Sequence, residues 1–191
     1  MKSLFVIILL MVSIFRLSGQ TDIKIYKWDE VLFASPDTIY GLSLAKLKLK
    51  SLPKELSKFI YLKKLDLKKN RLAQLPDFLL DFDSLEFIDL EKNQLNYFPV
   101  IFCQMSNLKQ ILIGNNFFET LPECISNIEK LKFLDLYDTP IKSLPNSFQR
   151  LNNLYKVDLS GIKFSSEFQE NWKKRMPKVN WEFDPPCACM R

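Results

Sequence analysis

Residues 62–84 read LKKLDLKKNRLAQLPDFLLDFDS. Counted from Leu62 as step 0, leucines stand at steps 3, 5, 10 and 13, an asparagine at step 8 and a proline at step 14. A helix would place apolar residues at a period of 3.6, and a strand would alternate them. Neither period accounts for the whole segment, so the spacing indicates a unit that combines a short strand with other structure.

The same spacing recurs every 23 residues along most of the chain. Further copies begin at Ile39, Leu85, Leu108 and Leu131, and a shorter one begins at Leu154, which makes six units over residues 39–164. A fixed period of this size is the signature of a solenoid. The pattern LxxLxLxxNxLxxLPxxIxxLxx resembles the leucine-rich repeat family, and in particular its small secreted bacterial members.

This resemblance implies an α/β solenoid with short parallel strands on a concave face and short helical turns on a convex face. In the LxL fragment, Leu65 and Leu67 point into the coil while Asp66 points away, because side chains alternate along a strand. Stacked copies bury a continuous leucine core. Strands are expected around Ser43, Asp66, Asp89, Leu112, Asp135 and Asp158. After the step-14 proline, Leu79 and Phe82 have the spacing of one or two helical turns.

Asparagine at step 8 occupies the turn that follows each strand. Asn70, Asn93 and Asn116 hold this position in three consecutive units. Their amides can satisfy buried backbone groups, and in the family they form a ladder. Leu47, Thr139 and Ile162 replace asparagine in the other units, where we expect poorer hydrogen bonding.

The first segment of the chain has the features of a signal peptide, assigned to residues 1–19. Lys2 precedes a twelve-residue apolar run at residues 4–15, which is shorter than the roughly 20 residues of a membrane-spanning helix. We expect cleavage after Gly19, with no transmembrane span left afterwards. Arg16 beside the cut leaves retention as the alternative. The predicted localisation is secreted, periplasmic or cell surface.

Caps are expected at both ends of the repeats. Residues 20–38 form the predicted N-terminal cap, in which an amphipathic helix carrying Trp28, Val31, Leu32 and Ala34 closes the first coil before Pro36. Residues 165–184 form the predicted C-terminal cap. It begins with a serine-capped helix carrying Phe168 and Trp172, and an edge strand alternating Val179, Trp181 and Phe183 follows.

Four cysteines allow disulfides in an exported protein. Cys103 and Cys124 fall on the predicted convex side of neighbouring coils, where they form either a disulfide or two buried small apolar residues. Cys187 and Cys189 lie in the predicted tail, residues 185–191, and are too close to pair comfortably with each other. They are either a thiol pair used for tethering or, as we favour, tail residues without a role.

The composition argues against catalysis. The chain has no histidine, which excludes Ser-His and Cys-His nucleophile pairs and histidine-bearing zinc sites. The best catalytic candidates are aspartates on adjacent strands, Asp66 with Asp89 and Asp135 with Asp158, held roughly 5 Å apart as in retaining glycosidases. Aspartate is usual at this position in the family, and an open sheet offers no closed pocket. We therefore predict no catalytic residues, no cofactor and no metal.

The outward strand positions form the predicted binding site. Its residues are Lys64, Lys68, Phe87, Asp89, Glu91, Leu112, Phe133, Asp135 and Tyr137. Phe87, Leu112, Phe133 and Tyr137 would make an apolar centre flanked by charges, as in many protein interfaces. The predicted function is a non-catalytic protein-protein interaction module. The alternatives are a carbohydrate-binding or carbohydrate-active protein using the aspartates and aromatics, and an envelope component that self-associates through opposite charges.

Charge is distributed unevenly. Residues 46–71 carry ten basic side chains against two acidic ones, whereas residues 77–91 carry six acidic side chains and no basic one. The basic N-terminal end is either an ordinary solvated surface or a site for an acidic partner such as an anionic polysaccharide. No nucleic-acid partner is expected. The absence of an Asn-x-Ser/Thr acceptor favours a bacterial origin.

Overall fold

A computed structural model describes residues 23–186 of the chain. The predicted signal peptide, Cys187 and Cys189 lie outside the described residues. None of the helices within the described part is long and apolar enough to cross a bilayer.

One sheet of eight parallel strands, ordered as in the chain, organises the structure. The strands are β1 (Tyr26–Lys27), β2 (Gly41–Ser43), β3 (Lys64–Asp66), β4 (Phe87–Asp89), β5 (Gln110–Leu112), β6 (Phe133–Asp135), β7 (Lys156–Leu159) and β8 (Asn180–Phe183). Each repeat supplies one strand, and equivalent residues pair, so that Leu65 stands opposite Ile88. This confirms the expected α/β class, and the parallel array fits a leucine-rich repeat solenoid.

The strands begin earlier in each unit than expected. In the first five units they cover steps 2 to 4, with Leu65 at the centre of β3 instead of Asp66, and β7 of the sixth unit extends to step 5. Backbone pairing nevertheless continues past the strand, since the N–H of Leu67 donates to the carbonyl of Asp89 at 2.7 Å. The expected and observed strands therefore differ in the residue at which each strand ends. The register between neighbouring strands is unchanged.

Short 3₁₀ helices form the opposite side of each coil. They are Lys54–Lys58, Asp77–Asp81, Val100–Gln104, Glu123–Asn127 and Asn146–Arg150, and each begins directly after the step-14 proline. Leu79 in the second of these helices and Phe82, the residue that follows it, are buried. Five residues are too few for a stable α-helix, and the tighter 3₁₀ form suits short connections.

The core is a single stack of leucines, isoleucines and phenylalanines that runs through all the coils. Leu65 and Leu67 are fully buried, as are their counterparts Ile88 and Leu90 in the next unit. Burying one such side chain stabilises a protein by about 1.5–3 kcal/mol. Because a single coil could not enclose these side chains, each repeat depends on its neighbours for stability.

A ladder of asparagine side chains links consecutive coils. Asn93 donates to the carbonyls of Leu67 (3.0 Å) and Leu90 (2.9 Å) and accepts the N–H of Leu72 at 3.1 Å. Asn70 and Asn116 make the equivalent bonds, each to its own coil and to the preceding one. The carbonyl of Leu67 thus accepts hydrogen bonds from both Asn70 and Asn93. Thr139, at the same position, makes only one bond, to its own coil.

The residue at step 7 of each repeat, directly before the asparagine position, has a left-handed backbone. Positive φ angles between 52° and 79° occur at step 7 in every unit, at Lys46, Lys69, Lys92, Asn115, Asp138 and Gly161. This conformation costs an ordinary residue such as lysine about 1–2 kcal/mol. The inter-coil bonds hold it in place, as when the N–H of Lys69 donates to the carbonyl of Glu91 at 2.8 Å.

The N-terminal cap differs from the expected amphipathic helix. It consists of strand β1, which pairs with β2, and two 3₁₀ helices, Trp28–Glu30 and Pro36–Thr38. Val31 is buried as expected, whereas Leu32 is 44% exposed. Pro36 begins a helix instead of ending one. A proline suits the first position of a helix, where its missing N–H would have no acceptor, and Ser35 before it is extended.

The C-terminal cap contains both expected elements. Helix α1 (Ser166–Arg175) begins after Ser165, whose side chain accepts the N–H of Phe168 at 3.2 Å. Trp172 of this helix packs edge-on against Phe148 of the last full repeat, with ring centroids 5.8 Å apart. Strand β8 then adds to β7 in parallel and completes the sheet.

Cys103 and Cys124 form a disulfide between neighbouring coils. Their Cα atoms are 5.6 Å apart, and the bridge joins the 3₁₀ helices Val100–Gln104 and Glu123–Asn127. Of the two possibilities left open by the sequence, the structure therefore has the covalent one.

Removing one rung of the ladder is expected to destabilise the protein. Asn93→Ala leaves the buried N–H of Leu72 without its acceptor and takes one donor from each of two carbonyls, with an expected loss of roughly 2–3 kcal/mol. Thr139→Ala is the matched control, because it removes one bond and should cost about 1 kcal/mol. Urea unfolding measures both, and equal losses would contradict a special role for asparagine.

Removing the bridge is also expected to lower stability. The disulfide closes a loop with a sequence separation of 21, for which chain entropy predicts about 3 kcal/mol. The double variant Cys103→Ser/Cys124→Ser should therefore melt at a lower temperature than the oxidised protein. Scanning calorimetry with and without reductant checks this, since the reductant should lower the melting temperature of the wild-type protein and leave that of the double variant unchanged. A wild-type melting temperature in the double variant would show that the bridge adds no stability.

Candidate functional site

The candidate site is the face of the sheet that points away from the core, called here the open sheet face. It is made by the step-2, step-4 and step-6 residues of the repeats. Register places Phe87, Gln110, Phe133 and Lys156 in one row, and Asp89, Leu112, Asp135 and Asp158 in the next. The residues between these rows, such as Ile111 and Leu134, are buried in the core.

The apolar centre of this face is narrower than the sequence suggested. Leu112 and Phe133 lie on neighbouring strands, and Tyr137, which follows the same strand as Phe133, is 42% exposed. Phe87 is separated from Phe133 by the strand that carries Gln110, a distance of two strand spacings or about 10 Å. The structure therefore brings three of the four predicted apolar residues together and sets Phe87 apart.

Gly114 allows this arrangement. A Cβ atom at this position would come within 2.7 Å of the carbonyl oxygen of Tyr137 and 3.2 Å of its Cβ. Any other residue would therefore push Tyr137 away from the fifth strand. The sequence analysis did not single out Gly114, although a glycine at step 6, where other repeats have larger residues such as Lys68, Glu91 and Tyr137, was the available signal.

Lys68 and Glu91 form a hydrogen-bonded ion pair between adjacent strands. Lys92 approaches the same carboxylate, at 3.4 Å. The hydrogen bond that Lys68 donates to the Glu91 carboxylate raises the pKa of Lys68. Burial opposes ionisation of Glu91, but the two lysines outweigh it and lower the pKa of its carboxyl. The charge of Lys68 is therefore largely neutralised, whereas Lys64 has no ion pair within residues 23–186.

A second charged pair borders the apolar centre. The Nζ atom of Lys156 lies 5.1 Å from the ring centroid of Phe133 and 3.0 Å from a carboxylate oxygen of Glu182 in β8. The cation therefore covers one side of the aromatic ring while keeping a counter-ion. Sequence reasoning did not include Lys156 or Glu182 in the site, although the alternation of Trp181 and Phe183 would have placed Glu182 on the outward face.

The step-4 aspartates have a structural task. Each accepts the backbone N–H of the residue two positions later, at 2.8–3.0 Å, as Asp135 does from Tyr137 and Asp66 from Lys68. Ser43 makes the same bond with its hydroxyl at 3.2 Å. Such local bonds fix the backbone as it leaves the strand. Within the described part of the chain, no cluster of three or more acidic or thiol side chains could hold a metal ion.

Two of these aspartates flank Leu112 in the sheet, Asp89 buried and Asp135 half-buried. Asp89 is 8% exposed, and burial, reinforced by the nearby Asp66 carboxylate, raises its pKa to about 6. Burial also raises the pKa of Asp135. Leu112 stands between them, and neither carboxylate has a salt bridge within residues 23–186, so no close cation offsets the effect of burial.

Comparison with known proteins agrees with this geometry. Residues 130–151, which include strand β6, match the family model described as Leucine Rich Repeat. No curated protein matches the chain significantly. The family match over residues 130–151 and the parallel strand array are consistent with a leucine-rich repeat protein. Leucine-rich repeats generally serve as protein-interaction modules and not as enzymes, because stacked repeats present an extended binding surface.

The stability of the protein is expected to depend on the ionisation of Asp89. The folded-state pKa is raised, so the stabilising contribution of the neutral carboxyl is present at pH values below about 4 and is lost as pH rises through about 6. Asp89→Asn keeps an acceptor for the N–H of Glu91 without the charge. Relative to wild type, it should gain about 1–3 kcal/mol of stability between about pH 4 and pH 7.5.

Thermal unfolding of both proteins across this pH range measures the effect. Asp89→Ala is the control, because it removes the acceptor as well as the charge and should be less stable than the asparagine variant at every pH. A constant stability difference between Asp89→Asn and wild type across the range would show that ionisation of Asp89 has no part in it.

Proposed function

We propose that this protein is a non-catalytic, exported interaction module that binds a protein partner on its open sheet face. The observation that carries the proposal is the group formed by Leu112, Phe133 and Tyr137. These side chains point away from a core that is already complete without them.

The composition of the face resembles that of known protein interfaces. Aromatic and aliphatic anchors at the centre with charged residues around them are typical of the few positions that carry most binding energy. The backbone beneath these anchors is held by parallel pairing on both sides, by the Asp135 bond to the N–H of Tyr137 and by contact with Gly114. Such a rigid surface loses little conformational entropy on binding, which favours affinity.

The charges around the centre suggest how a partner would be selected. Lys68 and Lys156 are already paired, with Glu91 and Glu182 respectively, so they would orient a partner without strongly attracting net charge. Lys64 is the cation of this face that is free of an ion pair within residues 23–186. A partner with an apolar side chain for the Phe133 region and an acidic group near Lys64 would fit this surface.

Export is supported by two separate features. Residues 1–19 have the charge and apolar length of a signal peptide. The Cys103–Cys124 bridge is the kind of bond that persists in oxidising compartments. The proposed location is therefore secreted, periplasmic or cell surface, where a small disulfide-bonded solenoid can meet extracellular proteins.

The aromatic anchors are expected to dominate partner binding. After a partner is isolated by pull-down from extracellular proteins, Phe133→Ala or Tyr137→Ala should each weaken binding by about 2 kcal/mol in calorimetry. Neither change removes a core contact, so the melting temperature should stay nearly constant. Tyr97→Ala is the matched control, because Tyr97 is an exposed aromatic outside this face. Wild-type affinity in the double variant Phe133→Ala/Tyr137→Ala would show that the binding site lies elsewhere on the protein.

A further inference from the structure

A groove runs along one edge of the solenoid, beside the open sheet face and separate from it. It is formed by the segments that follow strands β3 to β7, at steps 7 to 10 of their repeats, and its volume is about 950 Å³. This is within the size range of ligand-binding pockets. Arg71 lies at one end and Lys163 at the other, so the groove extends over four strand spacings, or about 19 Å.

The N-terminal end of the groove is basic. Arg71 and Lys92 line it, and the exposed Lys46, Lys48 and Lys69 continue the positive surface beyond it. Among these five cations, Lys92 alone contacts a carboxylate within residues 23–186, that of Glu91. The positive φ angles of the four lysines fix where their side chains leave the backbone. The backbone positions of these lysines are therefore fixed, and the four cations other than Lys92 have no carboxylate partner within residues 23–186.

The middle of the groove combines an aromatic ring with amides. Phe117 lines it and is 59% exposed, while its neighbour Phe118 is buried and occupies the core position of that repeat. Packing therefore does not account for Phe117. The N–H of Phe117 donates to the carbonyl of Leu95 at 2.9 Å, which anchors its backbone. Gln94 and Asn115 contribute amide groups beside the ring.

Asn115 has an unused hydrogen-bonding group. Its amide nitrogen is buried and has no partner within the described residues. A buried donor without an acceptor is destabilising, and rotation of the side chain into the groove would let it donate to a ligand. Asn116, the next residue, is fully engaged in the asparagine ladder. The two adjacent asparagines therefore differ in what they can offer to a ligand.

We propose that this groove binds an anionic polysaccharide, with a sugar ring stacked on Phe117 and acidic substituents paired with Arg71 and Lys92. A sugar ring presents a face of C–H groups and a rim of hydroxyls, which match an exposed aromatic ring and neighbouring amides. Carboxylate and sulfate groups match a guanidinium, which can bind them with two parallel hydrogen bonds. The length and openness of the groove suit a linear chain running across the repeats.

The groove also indicates where the ligand carries its charges. Asp138 lines the groove between Phe117 and Lys163 and would repel an acidic substituent at that point. The acidic groups are therefore placed towards Arg71 and Lys92, with a further one near Lys163. Neutral sugar surface lies between them. A uniformly charged polymer would fit less well than one whose charges are spaced.

Calorimetry with defined polymers tests the proposal. The probes are polygalacturonate for carboxylates, heparin for sulfates and dextran as the neutral polymer. We expect one or both of the anionic polymers to bind, with weaker binding at high salt, and dextran to bind at least tenfold more weakly. Phe117→Ala and the double variant Arg71→Gln/Lys92→Gln should each lower the affinity about tenfold. All three side chains are at the surface, so unchanged melting temperatures verify the fold.

Matched controls separate the groove from general charge and from the open sheet face. Lys54→Gln/Lys178→Gln removes two exposed cations outside the groove, and Tyr97→Ala removes an exposed aromatic elsewhere. Both should bind like wild type, as should Phe133→Ala. The proposal is overturned if no anionic polymer binds, if Phe117→Ala keeps full affinity, or if the control lysine variant loses as much as the groove variant. Loss in Phe133→Ala instead would assign polysaccharide binding to the open sheet face.

Discussion

The carbonyl oxygen of Leu67 accepts hydrogen bonds from two asparagines, Asn70 in its own coil and Asn93 in the next. This shared acceptor shows the constraint on which the rest of the structure depends. The chain must turn sharply inside each coil, where water cannot satisfy its backbone, and the asparagine amides take over that task. Because every amide reaches into the neighbouring coil, the bond that closes one turn also sets the register of the next.

Because the register between strands is fixed, the repeating sequence pattern produces continuous surfaces. Residues that share a step number are aligned across strands, so the step-2, step-4 and step-6 positions become the open sheet face. The step-7 residues, held in the left-handed conformation, direct the chain away from that face and begin the edge that carries the groove. The two proposed sites are therefore neighbours that arise from different steps of the same repeat, and substitutions can change one without the other.

Individual substitutions within the repeats give each surface its chemistry. Leu112 replaces the usual aspartate, and it separates Asp89 from Asp135 while extending the apolar group around Phe133. Gly114 lets Tyr137 approach the fifth strand, and Phe117 adds an aromatic ring beside the position that the core already fills with Phe118. All three belong to the fourth repeat. The scaffold tolerates them because none interrupts the ladder, which Asn116 maintains in that coil.

The sequence by itself determined the period, the parallel sheet, the buried leucines and the position of the asparagine turn. These features depend on contacts that recur in every unit, so each of the five full copies of the pattern independently predicts them. Only the tertiary structure decided the pairing of β1 with β2, the disulfide between Cys103 and Cys124, and the ion pair between Lys156 and Glu182. Each of these involves residues that occur once. The geometry of such contacts depends on distances between different coils, and a repeating pattern contains no information about them.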